Sequence, residues 1–325
     1  MQKIYFRADA SATIGYGHFI RTLALADMLK DDFDCTFFTC HPTLYQVEEM
    51  KEVCPHVVLQ EKTHYDEFLS RLRGDEIVVL DNYFFDTEYQ RKIKSKGCRL
   101  VCIDDMHDKH YVADLIINQG LGYTRDDYSC ELYTQFAFGL QYSLLRKPFF
   151  EAAAQNKRNS CTGGLHVLVA FGGSDFLNLT HQTIHAIKSK DNVRKITAIV
   201  GDSYLNDYII DDSKVTYRKN LSASSIVDLL QTVDVAILPA STMMNEALAC
   251  GTSIIGGYYV DNQEYDYYMF LREGLIQGVG DYTDSIAFTL IPNLLNKIAN
   301  RKRNVITPDI PNRFINLFKS LLTCK

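Results

Sequence analysis

Two short stretches hold residues with usable chemistry. The first is "RADASATIGYGHFIRTLALAD", Arg7–Asp27, in which Gly15 and Gly17 flank Tyr16 and His18 follows at once. Glycines let a backbone turn tightly or pass close to a ligand. An imidazole placed where a helix begins feels the positive end of the helix dipole, which disfavours its protonated form. A neutral imidazole can take a proton from water or a hydroxyl. Arg21, three residues on, shares its side of such a helix. On this pattern alone His18 is open to four roles: helix cap, phosphate clamp, general base or packing residue. Asp9 and Ser11 read as loop-capping groups.

The second stretch is "STMMNEALACG", Ser241–Gly251, directly after the apolar run "VDVAILPA". A strand, then Ser-Thr, then a helix closed by Gly251 is the expected order. Ser241 or Thr242 is placed to cap that helix. The free N–H groups of its first turn and the positive dipole end make an anion site. Glu246, about one turn further in, suits ribose hydroxyls better than a phosphate; the plainer alternative is a capping serine and a solvated glutamate. "FGGSDFLNLT", Phe171–Thr180, holds Gly172 and Gly173 in a matching turn, with Asp175 placed to cap the next helix. It is neither a G-x-G-x-x-G fingerprint nor a Walker A loop.

These residues need elements to hold them. Short apolar runs alternate with helical patterns: Lys3–Ala8, Cys35–Cys40, Glu76–Asp81, Arg99–Asp104 and Asp114–Asn118 read as strands, and His18–Lys30 as an amphipathic helix. The runs are continuous rather than alternating, which predicts parallel sheets covered on both faces. The pattern fades over Glu151–Gly164, a polar stretch read as a linker or frayed helix. It restarts with Leu165–Phe171, Lys195–Gly201, Lys214–Lys219, Val233–Ala240 and Thr252–Gly257. The fold class is therefore α/β, with two Rossmann-like domains whose parallel sheets face across a cleft. The expected division is 1–155, 160–300, and a C-terminal segment 301–325 whose amphipathic helix, Pro311–Leu322, packs across the hinge. Ligands of such sheets bind beyond the carboxyl ends of the strands, where both stretches lie.

Bulk properties narrow the class. A chain of 325 residues suggests two domains. A net charge of −6 argues against a nucleic-acid protein with a broad basic face. The first residues lack the apolar core of a secretory signal, and no apolar run is long enough for a bilayer. The nine cysteines form no Cys-x-x-Cys pair, so most are expected to be buried thiols in a reducing cytoplasm.

The opening motif "FRADASATIGYGHFIRTLALA" resembles that of the UDP-2,4-diacetamido-2,4,6-trideoxy-β-L-altropyranose hydrolases, nucleotide-sugar hydrolases of pseudaminic acid biosynthesis. In order, "LDNYFFD", "IDDMHDKHYVADLIINQ", "YSLLRKPF", "FGGSD", "STMMNEAL" and "VDNQE" agree with it, over about the first four-fifths of the chain. The resemblance implies the glycosyltransferase B fold and release of UDP by water attacking the anomeric carbon with inversion. It places the base on His18 and sugar contacts or water positioning on Tyr83 and Asn262. Substrate contacts fall on Gly15, Gly17, Arg21, Arg146, Gly173, Ser241, Thr242, Met243, Asn245 and Glu246, with UDP at the Ser241–Met243 helix start. It implies no cofactor and no metal. Ser174, where the family commonly has threonine, and a longer C-terminal end are the departures.

Three rival readings remain on sequence. A glycosyltransferase would use the same fold and UDP site with an acceptor in place of water. A metal hydrolase would draw on Asp104, Asp105, His107, Asp108 and His110, although dense Asp/His loops are more often solvated or cap-forming. A non-catalytic nucleotide-sugar binder would keep the site without turnover.

Overall fold

The computed structural model describes residues 1–9, 16–155, 163–173, 175–201, 204, 208–298 and 305–323. Gly15, Ser11 and Ser174 lie outside them. The chain divides into two compact units, Met1–Lys147 with Asp309–Lys325, and Pro148–Pro308.

In the first unit the chain runs β1 (Lys3–Ala8), α1 (Gly17–Leu29), β2 (Asp34–Cys40), α2 (Leu44–Val53), β3 (His56–Leu59), α3 (His64–Arg71), β4 (Ile77–Asp81), α4 (Thr87–Ser95) and β5 (Arg99–Ile103). Then come β6 (His110–Tyr111), β7 (Leu115–Asn118), β8 (Ser129–Cys130) and β9 (Gln135–Phe138). Seven strands form one sheet in the order β3-β2-β1-β4-β5-β7-β9, all parallel. β6 and β8 pair separately. Every residue of β4 is buried, which explains its unbroken apolar run.

In the second unit α5 (Lys147–Gln155) precedes β10 (Leu165–Ala170), α6 (Leu179–Ile187), β11 (Val193–Ile199), β12 (Val215–Arg218) and α7 (Ala223–Thr232). β13 (Val235–Pro239), α8 (Thr242–Ala249), β14 (Ser253–Tyr258), α9 (Asp261–Arg272), β15 (Gln277–Asp281) and α10 (Ile286–Leu295) complete it. The sheet order is β12-β11-β10-β13-β14-β15, again all parallel. Both sheets are thus doubly wound, and the Rossmann-like reading holds for each.

The polar stretch expected to link the domains begins with helix α5, and residues 156–162 lie outside the described set. The last helix, α11 (Ile310–Thr323), belongs to the first unit. Phe318 meets Phe33 at 6.3 Å between ring centroids and Phe314 meets Tyr142 at 5.6 Å. Lys319 Nζ reaches Asp32 Oδ1 at 2.6 Å.

Gly256 and Gly257 let α8 and β15 close on β14. A methyl at Gly256 would sit 2.6 Å from Met244 Cε of α8, and one at Gly257 would run into the Gly280 carbonyl oxygen. The six cysteines Cys35, Cys40, Cys54, Cys98, Cys102 and Cys250 are buried free thiols.

His166, at the start of β10, is buried with its Nε2 2.9 Å from Thr197 Oγ1. Burial, helped by Lys195 and Arg194, pushes its pKa down to about 4. The unfolded chain titrates near 6.5, so from there down to about 4 it binds the proton that the folded chain refuses. Stability is therefore lost as pH falls through that window. Urea unfolding at pH 7 and pH 5 should show a larger loss for the native chain than for His166→Gln; equal losses would refute the assignment.

Candidate active site

In a doubly wound sheet the crevice opens where the strand order reverses. In the first unit that point lies between β1 and β4, whose ends Ala8 and Asp81 are register partners. His18 and Arg21 come from α1, which starts after β1; Tyr83 comes from the turn after β4.

Asp81 is the centre. It is 1% exposed. His18 Nδ1 lies 2.6 Å from its Oδ1, Arg21 donates from Nη2 to Oδ1 and from Nε to Oδ2 at 2.6 Å each, and Thr22 Oγ1 donates to Oδ2 at 2.8 Å. Burial alone would raise this carboxyl, but Arg21 and His18 outweigh it and hold its pKa at about 2. An ionised carboxylate only accepts, so His18 Nδ1 must carry the proton. Arg21 Nη2 also stands 3.1 Å from that nitrogen; in the neutral ring with Nδ1–H turned to Asp81, Nε2 is the acceptor. Arg21 Nη1 also donates to Asp105 Oδ2 at 2.7 Å. The Tyr83 ring stands edge-on to His18, with centroids 4.6 Å apart. Burial and the Asp105 carboxylate raise the Tyr83 hydroxyl well above its usual range, so it stays a neutral donor.

Asp9 does more than cap a loop. Arg7, fully buried on β1, donates from Nη2 to Asp9 Oδ2 at 2.7 Å. Cys40 N and Thr39 Oγ1 donate to Asp9 Oδ1 at 2.7 and 3.1 Å. Asp9 N donates to Asn82 Oδ1 at 2.7 Å. This network ties the end of β1 to the ends of β2 and β4. Asp9, Cys40 and His64 offer ligand-type atoms within 4.8 Å of one another. However, the Arg7 guanidinium sits among them, its Nη2 3.0 Å from His64 Nδ1 and 3.5 Å from Cys40 Sγ. Burial pushes the Cys40 thiol up to about 11. The cation of this cluster is Arg7.

The acidic, histidine-bearing loop after β5 disperses its ligand types. Asp104 accepts from the backbone of His107 at 2.8 Å and from the Tyr111 hydroxyl at 2.5 Å. Asp105 goes to Arg21, and His110 to Ser129 and Glu131. These groups brace the loop and do not converge on a common point.

In the second unit the reversal point lies between β10 and β13. The turn after β10 holds Gly172, with φ of +86°, and Gly173. A methyl at Gly201 would run into the Gly173 carbonyl, so the loops after β10 and β11 touch backbone to backbone. Asp175 caps α6, accepting from Leu179 N at 2.8 Å and Thr180 N at 2.9 Å, as expected. Ser241 holds the N-cap position of α8, but its side chain makes no capping hydrogen bond, contrary to the sequence reading. Its backbone is extended (φ −155°, ψ 173°), as is usual at an N-cap, so it is the side chain alone that leaves the first-turn N–H groups uncapped. Ser241 is exposed, Thr242 and Met243 half-buried, and Asn245 and Glu246 buried, at 4% and 6% exposure. Asn245 Oδ1 is buried with no hydrogen-bond partner. Asn262 is exposed in the first turn of α9.

The expected site residues therefore fall into two groups. His18, Arg21 and Tyr83 come together in the first unit, where Gly17 begins α1 and Arg146 stands just before the division. Gly173, Ser241–Met243, Asn245, Glu246 and Asn262 belong to the second unit. Asp81 was not singled out from sequence, although an acid closing an apolar run is the signal that marks it. Among the described residues no helix is long and apolar enough to cross a membrane.

No family model matches the chain. It is 26% identical over 278 residues to the UDP-2,4-diacetamido-2,4,6-trideoxy-beta-L-altropyranose hydrolase of Campylobacter jejuni, covering 81% of this chain and 93% of that protein. It is 23% identical over 287 residues to the spore coat polysaccharide biosynthesis protein SpsG of Bacillus subtilis, covering 84% and 82%. It is 23% identical over 291 residues to an uncharacterized protein of Methanocaldococcus jannaschii, where 83% of this chain spans 58% of that one. Among solved structures, Acinetobacter baumannii MurG aligns over 98% of this chain and all of its own, with a TM-score of 0.67 at 11% identity. That last likeness speaks for the fold alone. The resemblance read from the motifs holds: the chain is a relative of the UDP-2,4-diacetamido-2,4,6-trideoxy-β-L-altropyranose hydrolase and has the glycosyltransferase B fold.

Proposed function

We propose that this chain is a UDP-sugar hydrolase acting on a UDP-linked 2,4-diacetamido-2,4,6-trideoxy sugar, in the formation of pseudaminic acid-type nonulosonates. The observation that carries the reading is the His18–Asp81 pair at 2.6 Å: with Nδ1–H turned to the carboxylate, Nε2 of the neutral ring is left to accept a proton. Water attacks the anomeric carbon as its proton passes to His18 Nε2. The bond from that carbon to the β-phosphate oxygen breaks, and UDP leaves with the electron pair. Inversion follows from displacement on the opposite face. Asp81, ionised and buried, stabilises the imidazolium that forms. Tyr83 offers a neutral hydroxyl to the sugar or the water, and Asn262 a second polar contact. The diphosphate takes the N-terminus of α8, whose cap is left open by Ser241. Asn245 and Glu246 serve the nucleoside, and Gly173 permits close backbone approach. Gly15, Gly17, Arg21 and Arg146 complete the substrate contacts.

Incubating the chain with the UDP-sugar alone in ¹⁸O-water tests this. The expected products are UDP without ¹⁸O and free sugar with one ¹⁸O at its anomeric hydroxyl. Label in UDP would mean cleavage at phosphorus. No release until a sugar acceptor is added would establish the glycosyltransferase reading instead.

A further inference from the structure

The turn after β4 continues past Tyr83 into Phe84, and a second aromatic group rises beside it from the start of α3. His64 and Tyr65 lie with ring centroids 4.0 Å apart. Phe84 stands edge-on to both, at 6.2 Å from His64 and 6.3 Å from Tyr65. Tyr65 and Phe84 remain 36% and 37% exposed, although each is large and apolar. Phe84 directly follows Tyr83, whose ring stands against His18, and Arg7 at the end of β1 reaches His64, so this group lies at the same carboxyl end of the sheet as the proposed base.

His64 is not a passive member. Arg7 Nη2 lies 3.0 Å from its Nδ1, and a guanidinium only donates. Nδ1 must therefore hold the lone pair, and Nε2 carries the ring's single proton. Burial, with the Arg7 charge adding, lowers the pKa of this histidine. Arg7 is itself fixed by Asp9. A buried ion pair thus makes a half-buried imidazole a neutral hydrogen-bond donor next to two partly exposed aromatic rings.

A neutral N–H donor beside aromatic faces is complementary to an amide: the carbonyl accepts the hydrogen bond and the methyl packs on the rings. We propose that His64, Tyr65 and Phe84 form the subsite for an N-acyl group of the sugar, with His64 Nε2–H donating to the acyl oxygen and Phe84 and Tyr65 receiving the methyl. Arg7 is the positioning residue that fixes the tautomer. The proposal rests on the UDP-sugar hydrolase reading and adds to it the feature by which the substrate is chosen.

The test compares UDP-2,4-diacetamido-2,4,6-trideoxyaltropyranose with its two counterparts in which one acetamido group is a free amine. Native enzyme should prefer the diacetamido sugar to one of the amines by about 10–10³-fold in kcat/KM, as a half-buried donor and an apolar wall lose their partner. His64→Phe and Phe84→Ala should each bring that preference down toward unity, mainly by raising KM for the diacetamido sugar. Native enzyme that treats all three alike, or variants that keep the native preference, would overturn the subsite while the hydrolase reading stands. Native enzyme that releases UDP from none of them would overturn both. Circular dichroism and UDP titration of each variant separate loss of fold from loss of preference.

Discussion

His18→Ala lowers kcat by about 10²–10⁴-fold, the usual worth of a positioned general base, and leaves UDP affinity unchanged. The separation is expected because the diphosphate and nucleoside contacts are proposed on the second unit, whereas His18 stands in the first. Asp81→Asn should fall in the same range for a different reason. The carboxylate, held at about 2 by Arg21 and His18 against its burial, is ionised at any working pH. The amide has no charge with which to balance an imidazolium, and it can turn an N–H toward Nδ1 and so favour the wrong tautomer. Steady-state rates with isothermal UDP titrations read both variants. Native turnover in His18→Ala would remove His18 as base; loss of UDP affinity in step with kcat would make it a binding residue.

Asp9→Ala should cost the first unit about 3–5 kcal/mol, the loss seen when one partner of a buried ion pair is removed. Arg7 is fully buried, so its charge cannot reach water once Asp9 is gone. The same change leaves Cys40 N and Thr39 Oγ1 without their acceptor. The double variant Arg7→Met/Asp9→Leu should recover part of the loss, because two apolar side chains leave no unpaired charge. Denaturant unfolding of the three chains reads the effect. A loss below about 1 kcal/mol for Asp9→Ala would place the pair with solvent-exposed bridges.

The sequence was most legible where one physical cause dominated. Lys3–Ala8 is legible with its true bounds because its centre, Ile4–Phe6, is an unbroken apolar run carried inside the sheet. β15, "QGVGD", shows neither an apolar run nor an alternation. Its glycines answer instead to packing: Gly278 lies under the Tyr267 hydroxyl, and Gly280 holds φ of +82°. β3 and β9, four residues each, are too short to show a period. In the site, His18 and Arg21 were visible through their local spacing. Asp81 was not, since its partners lie 59 to 63 positions away in sequence. Arg7 stood in plain view as a charge inside an apolar strand, but its partner was taken for a loop cap. Local chemistry can be read from neighbours in the chain, whereas the pairing that fixes a tautomer depends on which strand ends the topology brings together.

The return of α11 to the first unit also sets an order of events during synthesis. Ile310, Phe314, Phe318 and Leu321 are buried on that unit, and they leave the ribosome after all of Pro148–Pro308. At ordinary elongation rates the second unit takes about 10–30 s to make. For that interval Phe33 and Tyr142 lack the rings that meet them in the finished fold. The nascent first unit therefore carries an apolar surface without its cover during synthesis. A gene fragment ending before Asp309 would leave it in that state permanently.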